Sequence, residues 1–161
     1  MWHYLSCMNN VLELSIDLEV INLPVMADGE YGEIARVLDV PIEAIVSITL
    51  FRCNGGFLAF TSSANRRLNY AAIFGKTKLQ WCTVPNVEEM SELGSIDRSN
   101  PFLLASNQRV QMIIDAKLLD HKNVVVLLGN HRAIKTTLNH FMVGTMPKIQ
   151  GGISLPKKFD Q

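Results

Sequence analysis

The sequence predicts one mixed α/β (α+β) domain with a curved, mixed central sheet flanked by helices. The length of 161 residues is typical of a single domain. Hydrophobic residues make up 48% of the chain and the formal net charge is zero, a composition that can bury a core and is unlike that of disordered chains. Segments with helical spacing of apolar residues alternate with segments of strand spacing, and hairpin signals replace a regular βαβ repeat.

The first part of the chain contains two competing patterns. Apolar residues follow helical spacing over residues 2–14, but over residues 12–20 they alternate with polar ones as in a strand. Asp28 is a candidate N-cap for a helix over residues 31–38, which ends before Pro41.

The remainder is predicted to consist of short strands and helices. The strongest local signal is Asn54-Gly55-Gly56, which is typical of a hairpin turn. In chain order we predict strands at 45–52 and 57–61, a polar loop at 62–67, a helix at 68–74, a strand at 79–83, a helix at 85–93, a loop at 94–108, strands at 110–114, 123–128 and 133–135, and a helix ending at 141. We expect one domain at residues 1–143, and at residues 144–161 an extended tail, either a docking arm or a linker.

Composition excludes several classes of protein. The balanced charge argues against a polybasic nucleic-acid binder, and no DNA partner is expected. The three cysteines have no short-spaced pair, which indicates reduced thiols in the cytoplasm. The N-terminus has no basic segment followed by an apolar one, so we expect no signal peptide. The longest aliphatic run, residues 124–128, is far short of the roughly 20 residues that span a bilayer.

Common catalytic motifs are absent from the sequence. It has no dinucleotide-binding or phosphate-binding glycine loop, no nucleophile elbow and no HExxH helix. The four histidines lack metal-ligand spacing, so neither a metal nor a cofactor is expected. A Cys–His nucleophile pair stays open beside the alternative that these are ordinary core or surface residues. The basic residues Arg66, Arg67, Lys76 and Lys78 are interpreted either as a phosphate contact or as a solvated loop.

The order of several segments resembles the YbaK and prolyl-tRNA-editing domain family. That family begins with a helix, a Gly-Val-Pro turn and a strand that carries a lysine; here residues 33–41 and 45–51 resemble that opening. The later resembling segments are residues 55–60, 64–69, 79–93, 94–101, 113–118 and 129–131. The resemblance covers roughly residues 12–141 and implies a YbaK-like fold.

The resemblance also implies an activity, the hydrolysis of an aminoacyl ester on mischarged tRNA. Because such an ester is already activated, the site needs mainly to position it and to supply dipoles for the developing oxyanion. The resemblance assigns catalytic roles to Ser47, Gly94 and His131. The resemblance and the basic cluster together suggest that the substrate is contacted by Thr49, Arg67, Pro101, Asp115 and Gly129.

One position departs from the family pattern. Ser47 occupies the place of the strand lysine and carries no charge that could hold a phosphate or polarise a carbonyl. We therefore expect a trans-acting deacylase with weakened activity. The alternatives are a non-catalytic binding or regulatory domain that keeps the fold, and a small-molecule sensor. The pattern does not predict the oligomeric state.

Overall fold

The described part of the structure excludes both chain ends and a few internal residues. The computed structural model describes residues 19–24, 31–77, 81–94, 100–129 and 131–157, without the side chains of residues 19, 76 and 77. The predicted N-terminal helix or strand up to residue 18, the Asp28 cap and the Lys78 side chain lie outside these ranges. No helix within the described ranges is long and apolar enough to cross a membrane.

The described residues form ten strands, five α-helices and two short 3-10 turns. In chain order they are β1 (Glu19–Asn22), α1 (Tyr31–Leu38), the turn Ile42–Ala44, β2 (Ile45–Cys53), β3 (Gly56–Ser63), β4 (Arg66–Leu68), α2 (Tyr70–Thr77), β5 (Cys82–Thr83), α3 (Val87–Ser91), α4 (Pro101–Ala105), β6 (Val110–Asp115), the turn Ala116–Asp120, β7 (Asn123–Gly129), β8 (Arg132–Thr137), α5 (Leu138–Thr145), β9 (Lys148–Gln150) and β10 (Ser154–Pro156).

Most strands join one mixed sheet. Its order is β1-β8-β7-β2-β3-β6-β9, and β5 pairs with β2 beside this path. The pairs β2–β7, β3–β6 and β6–β9 are parallel, whereas β2–β3, β7–β8 and β1–β8 are antiparallel. β4 and β10 form a separate antiparallel ribbon. The prediction of a mixed sheet flanked by helices is confirmed.

Alternation along β2 divides the core into two halves. Ile48 and Leu50 pack on one side of the sheet, and Ile45 and Phe51 pack on the other. We call the side that carries Ile45 and Phe51 the site face, because the polar residues between them also point that way. The other side is called the opposite face.

Helices α4 and α5 cover the opposite face. Leu104 of α4 is fully buried in a cluster with Leu50, and Phe141 of α5 is fully buried beside Val46. The rings of Phe102 and Phe141 pack edge to face with centroids 5.9 Å apart, and this contact stabilises the packing of α4 against α5.

On the site face, α1 and α2 pack at separate places. Ile34 of α1 lies in a cluster with Ile45 at the start of β2. Ile73 of α2 is buried with Phe51 near the end of β2, and with Phe60 of β3. The two helices therefore cover the two ends of β2 and leave its middle between them.

Two predicted loops contain regular structure. The predicted loop at 94–108 is wrong for residues 101–105, where α4 begins with a proline and is capped by the Asn100 side chain, which accepts hydrogen bonds from the backbone N–H groups of Phe102 and Leu103. The predicted loop at 62–67 contains the end of β3 and the start of β4.

The segment after residue 143 packs onto the sheet. Helix α5 continues to Thr145, β9 pairs with β6, and β10 pairs with β4. Ile153, between these strands, is fully buried with Phe60. Residues 146–157, which follow α5, are called the C-terminal arm, and the predicted domain boundary at residue 143 stays a prediction.

The contact between α4 and α5 can be tested with Gly144→Ala. A Cβ atom at Gly144 would lie 2.7 Å from Cε1 of Phe102, so the half-buried ring would have to shift. Overpacking of this kind costs about 1–3 kcal/mol. The matched control is Gly75→Ala in α2, where an added Cβ meets nothing within 4 Å and should stabilise the helix by about 0.5–1 kcal/mol. Urea unfolding measures the change in the free energy of unfolding, which should fall in Gly144→Ala and rise in Gly75→Ala. Equal stabilisation by both substitutions would contradict this packing.

Candidate functional site

Polar side chains occupy the middle of β2 and β3 on the site face. Ser47 lies opposite Ser62, and Thr49 lies opposite Phe60. Ser47 and Thr49 are half-buried, and Ser62 is buried. Because α1 and α2 pack against the two ends of β2, these hydroxyl groups lie on the sheet between the two helices, a region that we call the groove.

The edge of β2 is open beside this floor. β7 pairs with β2 only at Ile45 and Val46, and β5 pairs with the same edge only at Arg52 and Cys53. Among the described strands, residues 47–51 therefore have no partner on this edge. Backbone N–H and C=O groups that lack a strand partner must find other partners, such as water or a ligand.

Tyr31, at the start of α1, forms one wall of the groove. Its hydroxyl lies 3.3 Å from Oγ of Ser47, within hydrogen-bond distance. The sequence places Tyr31 only at the start of the predicted helix over residues 31–38, because its contact with Ser47 depends on how α1 packs on β2.

Asp115 lies on the same side of the sheet, at the end of β6. It follows Ile114, which is opposite Thr61, so its register position is next to Ser62. The carboxylate is fully buried and accepts hydrogen bonds from Oγ of Ser154 and from the backbone N–H of Lys117. We call Asp115, Ser154 and Arg66 the carboxylate latch, since they join β6, β10 and β4.

Arg66 completes the carboxylate latch. Its Nε lies 3.8 Å from the Asp115 carboxylate and donates to Oγ of Ser154 at 2.6 Å, while a terminal nitrogen donates to the Ser154 carbonyl at 3.0 Å. Arg67, the next residue of β4, is exposed and lies opposite Leu155. The two arginines, equivalent in the sequence pattern, therefore have different environments.

The predicted loop from Gly94 to Pro101 is described only at its two ends. Gly94 is exposed, has a φ of +77°, and follows Leu93, which packs with Leu50 on the opposite face. Pro101 is buried at the first position of α4. Residues 95–99 lie outside the described ranges. Participation of Gly94 and Pro101 in the site stays a prediction.

Gly129 and His131 form the turn between β7 and β8. Both have positive φ, +80° and +57°, and the His131 carbonyl accepts a hydrogen bond from the backbone N–H of Leu23 at 2.6 Å. Continuing the β2–β7 register by three residues would place Gly129 level with Thr49. The His131 side chain is exposed, and its assigned role stays a prediction.

A cavity of about 630 Å³ lies apart from the predicted residues. It is at the end of the sheet where β7 begins, and none of the predicted site residues lines it. Its lining includes Lys122, Lys135 and His140, and among the described residues Nδ1 of His140 is buried without a hydrogen-bond partner. Only the tertiary fold brings these residues together, since Lys122 precedes β7, Lys135 lies in β8 and His140 lies in α5.

Neither described cysteine is suited to nucleophilic catalysis. Burial, together with neighbouring Cys82, raises the pKa of the Cys53 thiol to about 12. Burial also raises the pKa of Cys82. Both groups are therefore thiols at neutral pH, and only a thiolate is a strong nucleophile. Among the described residues no cluster of three or more His, Cys, Asp or Glu is close enough to hold a metal ion.

Comparison with known proteins identifies the family of this domain. The family model of the aminoacyl-tRNA editing domain matches residues 29–139, more than half of the chain. The chain belongs to the aminoacyl-tRNA editing domain family. No curated protein sequence matches it.

Solved structures share the fold of this editing domain. A candidate trans-editing enzyme for prolyl-tRNA synthetase is 20% identical with a TM-score of 0.71, and the match covers 88% of each chain. A hypothetical protein is 18% identical with a TM-score of 0.70, covering 91% of this chain and 99% of the other. A candidate signal transduction protein from Marinobacter aquaeolei VT8 is 10% identical with a TM-score of 0.63. That match covers 86% of this chain but only 28% of the signal transduction protein. At these identities the likeness shows the fold alone.

The raised thiol pKa values predict low cysteine reactivity in the editing domain. Iodoacetamide at pH 7.5 should leave Cys53 and Cys82 largely unmodified in the folded protein, because the thiolate fraction is very small. Peptide mass spectrometry measures the extent of alkylation. The same treatment in denaturant is the control and should modify both residues; rapid modification of folded Cys53 would contradict the burial.

Proposed function

We propose that this editing domain hydrolyses a mischarged aminoacyl-tRNA in trans, with weakened activity because Ser47 replaces the family's lysine. The observation that supports the proposal is the groove of Ser47, Thr49 and Ser62 between α1 and α2. It lies inside the part of the chain that matches the editing-domain family. The trans-editing enzyme with the same fold supports the same activity by analogy.

The reaction needs few catalytic groups from the protein. Water attacks the ester carbonyl carbon, the bond from that carbon to the ribose oxygen breaks, and the ribose oxygen takes up a proton. The products are a free amino acid and tRNA with a free terminal hydroxyl. Positioning of the ester and hydrogen bonds to the developing oxyanion lower the barrier. The open edge of β2 offers backbone groups for this purpose, and the reaction requires neither a metal nor a cofactor.

The second candidate is a non-catalytic binding or regulatory domain. A neutral hydroxyl at residue 47 forms weaker hydrogen bonds than a charged donor. The same fold also forms a minor part of the signal transduction protein, a setting that favours a sensory or regulatory role.

Turnover and the effect of residue 47 separate the two candidates. We expect the wild-type protein to deacylate a panel of mischarged tRNAs slowly, and Ser47→Lys to raise the rate, since one preorganised donor contributes on the order of 10²–10³ in rate. Release of the labelled amino acid measures turnover. Thr83→Lys, at an exposed position of β5, adds the same charge outside the groove and should leave the rate unchanged.

Two results would change the assignment. Rapid wild-type turnover that is independent of residue 47 would show that another group carries out the chemistry. Absence of turnover in Ser47→Lys as well would favour the binding domain.

Binding of tRNA should depend on Arg67 rather than Arg66. Arg66 is held by Ser154 and Asp115, whereas Arg67 is exposed. With a net charge of zero, affinity should be weak and sensitive to salt. Arg67→Glu should weaken binding and lower the salt slope by about one. Fluorescence titration at several salt concentrations measures both, with Lys148→Glu on β9 as the charge-matched control. Equal effects of the two variants would show that Arg67 is not a specific contact.

A further inference from the structure

A lysine lies beside the groove although β2 carries none there. Nζ of Lys157 lies 5.3 Å from the centre of the Tyr31 ring, and the hydroxyl of the same tyrosine is 3.3 Å from Oγ of Ser47. Lys157 directly follows β10, at the end of the C-terminal arm. It lies outside residues 29–139, the part of the chain that matches the family model.

The main chain holds Lys157 in this position. Its backbone N–H donates to the carbonyl of Asn65 at 3.0 Å, and Nζ donates to the carbonyl of Ala64 at 2.6 Å. Ala64 is anchored in turn, because its backbone N–H donates to the carbonyl of Ile45 at the start of β2. The ammonium group is therefore connected through the backbone to the strand that carries Ser47.

The carboxylate latch fixes the arm that carries Lys157. Ser154 is joined to both Asp115 and Arg66, so β10 cannot slide along β4 without breaking contacts of a buried carboxylate. Breaking such contacts is costly because a buried charge is left without its partners. The latch therefore gives Asp115 a positioning role, since its carboxylate oxygens are already engaged by the protein.

The charge of Lys157 has no counter-charge in the described structure. The arginines Arg36, Arg52, Arg66 and Arg109 each form an ion pair with a carboxylate, but no described carboxylate pairs with Lys157. An ammonium group has three hydrogen-bond donors, and within the described residues only the Ala64 carbonyl accepts one of them. Among the residues that the structure describes, two of these donors and the positive charge are thus unmatched at the wall of the groove.

The chemistry of the aminoacyl end of tRNA limits what this charge could bind. The α-amino group there is positive, the ester is neutral, and the phosphates are negative. Of these groups, an ammonium group fits the phosphate best, through charge-assisted hydrogen bonds.

We propose that Lys157 binds the terminal phosphate of the aminoacyl-tRNA and thereby holds the ester over Ser47. This inference rests on the proposed function, because it takes its ligand from it. Lys157 directly follows β10, so a positive charge absent from β2 is supplied from the C-terminal arm.

Binding of a hydrolysis-resistant analogue tests the proposal apart from turnover. The probes are 3′-amino-3′-deoxyadenosine carrying amide-linked alanine or proline, each with and without a 5′-phosphate. Lys157→Met should weaken binding of the phosphorylated analogues about tenfold or more and change binding of the unphosphorylated ones less than twofold. Lys157→Arg should keep most of the affinity. Lys148→Met is the control and should bind like the wild-type protein.

A second experiment places the positive charge on β2 instead of at residue 157. Ser47→Lys in the Lys157→Met background should restore binding of the phosphorylated analogues, which a merely structural role of Lys157 would not explain. Urea unfolding of each variant checks that the fold is retained. Unchanged affinity in Lys157→Met, equal losses for both kinds of analogue, or no binding of any analogue by the wild-type protein would overturn the proposal.

Binding and hydrolysis can fail separately. If phosphorylated analogues bind through Lys157 but no mischarged tRNA is hydrolysed, the phosphate contact stands and the domain is non-catalytic. If tRNA is hydrolysed at the same rate in Lys157→Met, the activity stands and the assignment of Lys157 is wrong.

Discussion

Eight residue pairs between β2 and β3, from Val46 with Ser63 to Cys53 with Gly56, determine which side chains face which helices. In this register Ser47 and Ser62 share the site face, while Leu50 and Ala59 share the opposite face. A slip of one residue would turn the hydroxyl groups into the apolar core and the aliphatic groups into the groove. The register is therefore strongly specified, and the groove is a consequence of the same pairing that builds the core.

The carboxylate latch connects the domain core to the C-terminal arm. Asp115 is fully buried, and a buried carboxylate is tolerated only with hydrogen-bonding partners. Ser154 and Arg66 supply them, and both belong to the ribbon of β4 and β10. The contacts of this buried carboxylate, together with the burial of Ile153 against Phe60, thus hold the C-terminal arm on the sheet and bring Lys157 to the groove.

Sequence patterns within a few residues predicted those turns, helices and strands whose conformations depend mainly on their neighbours in the chain. The predicted turn at Asn54-Gly55 lies between β2 and β3, and Gly55 has a φ of +95°, a conformation that favours glycine. Helix α4 was missed, although Asn100 followed by Pro101 is a helix-start signal, because the surrounding polar residues favoured a loop. β4 and β10 were missed because strands of three residues carry too little alternation to detect.

The sequence by itself determined the fold class, the turn between β2 and β3, and the resemblance to editing domains. It could not distinguish Arg66 from Arg67, since two adjacent arginines look alike until β10 pairs with one edge of β4. Nor could it place Tyr31 or Lys157 beside Ser47, because the three residues are far apart in the chain and meet only through helix and arm packing. Hydrophobic periodicity is a local property, whereas the charge and hydrogen bonds of the groove depend on contacts between distant segments, which only the tertiary structure decided.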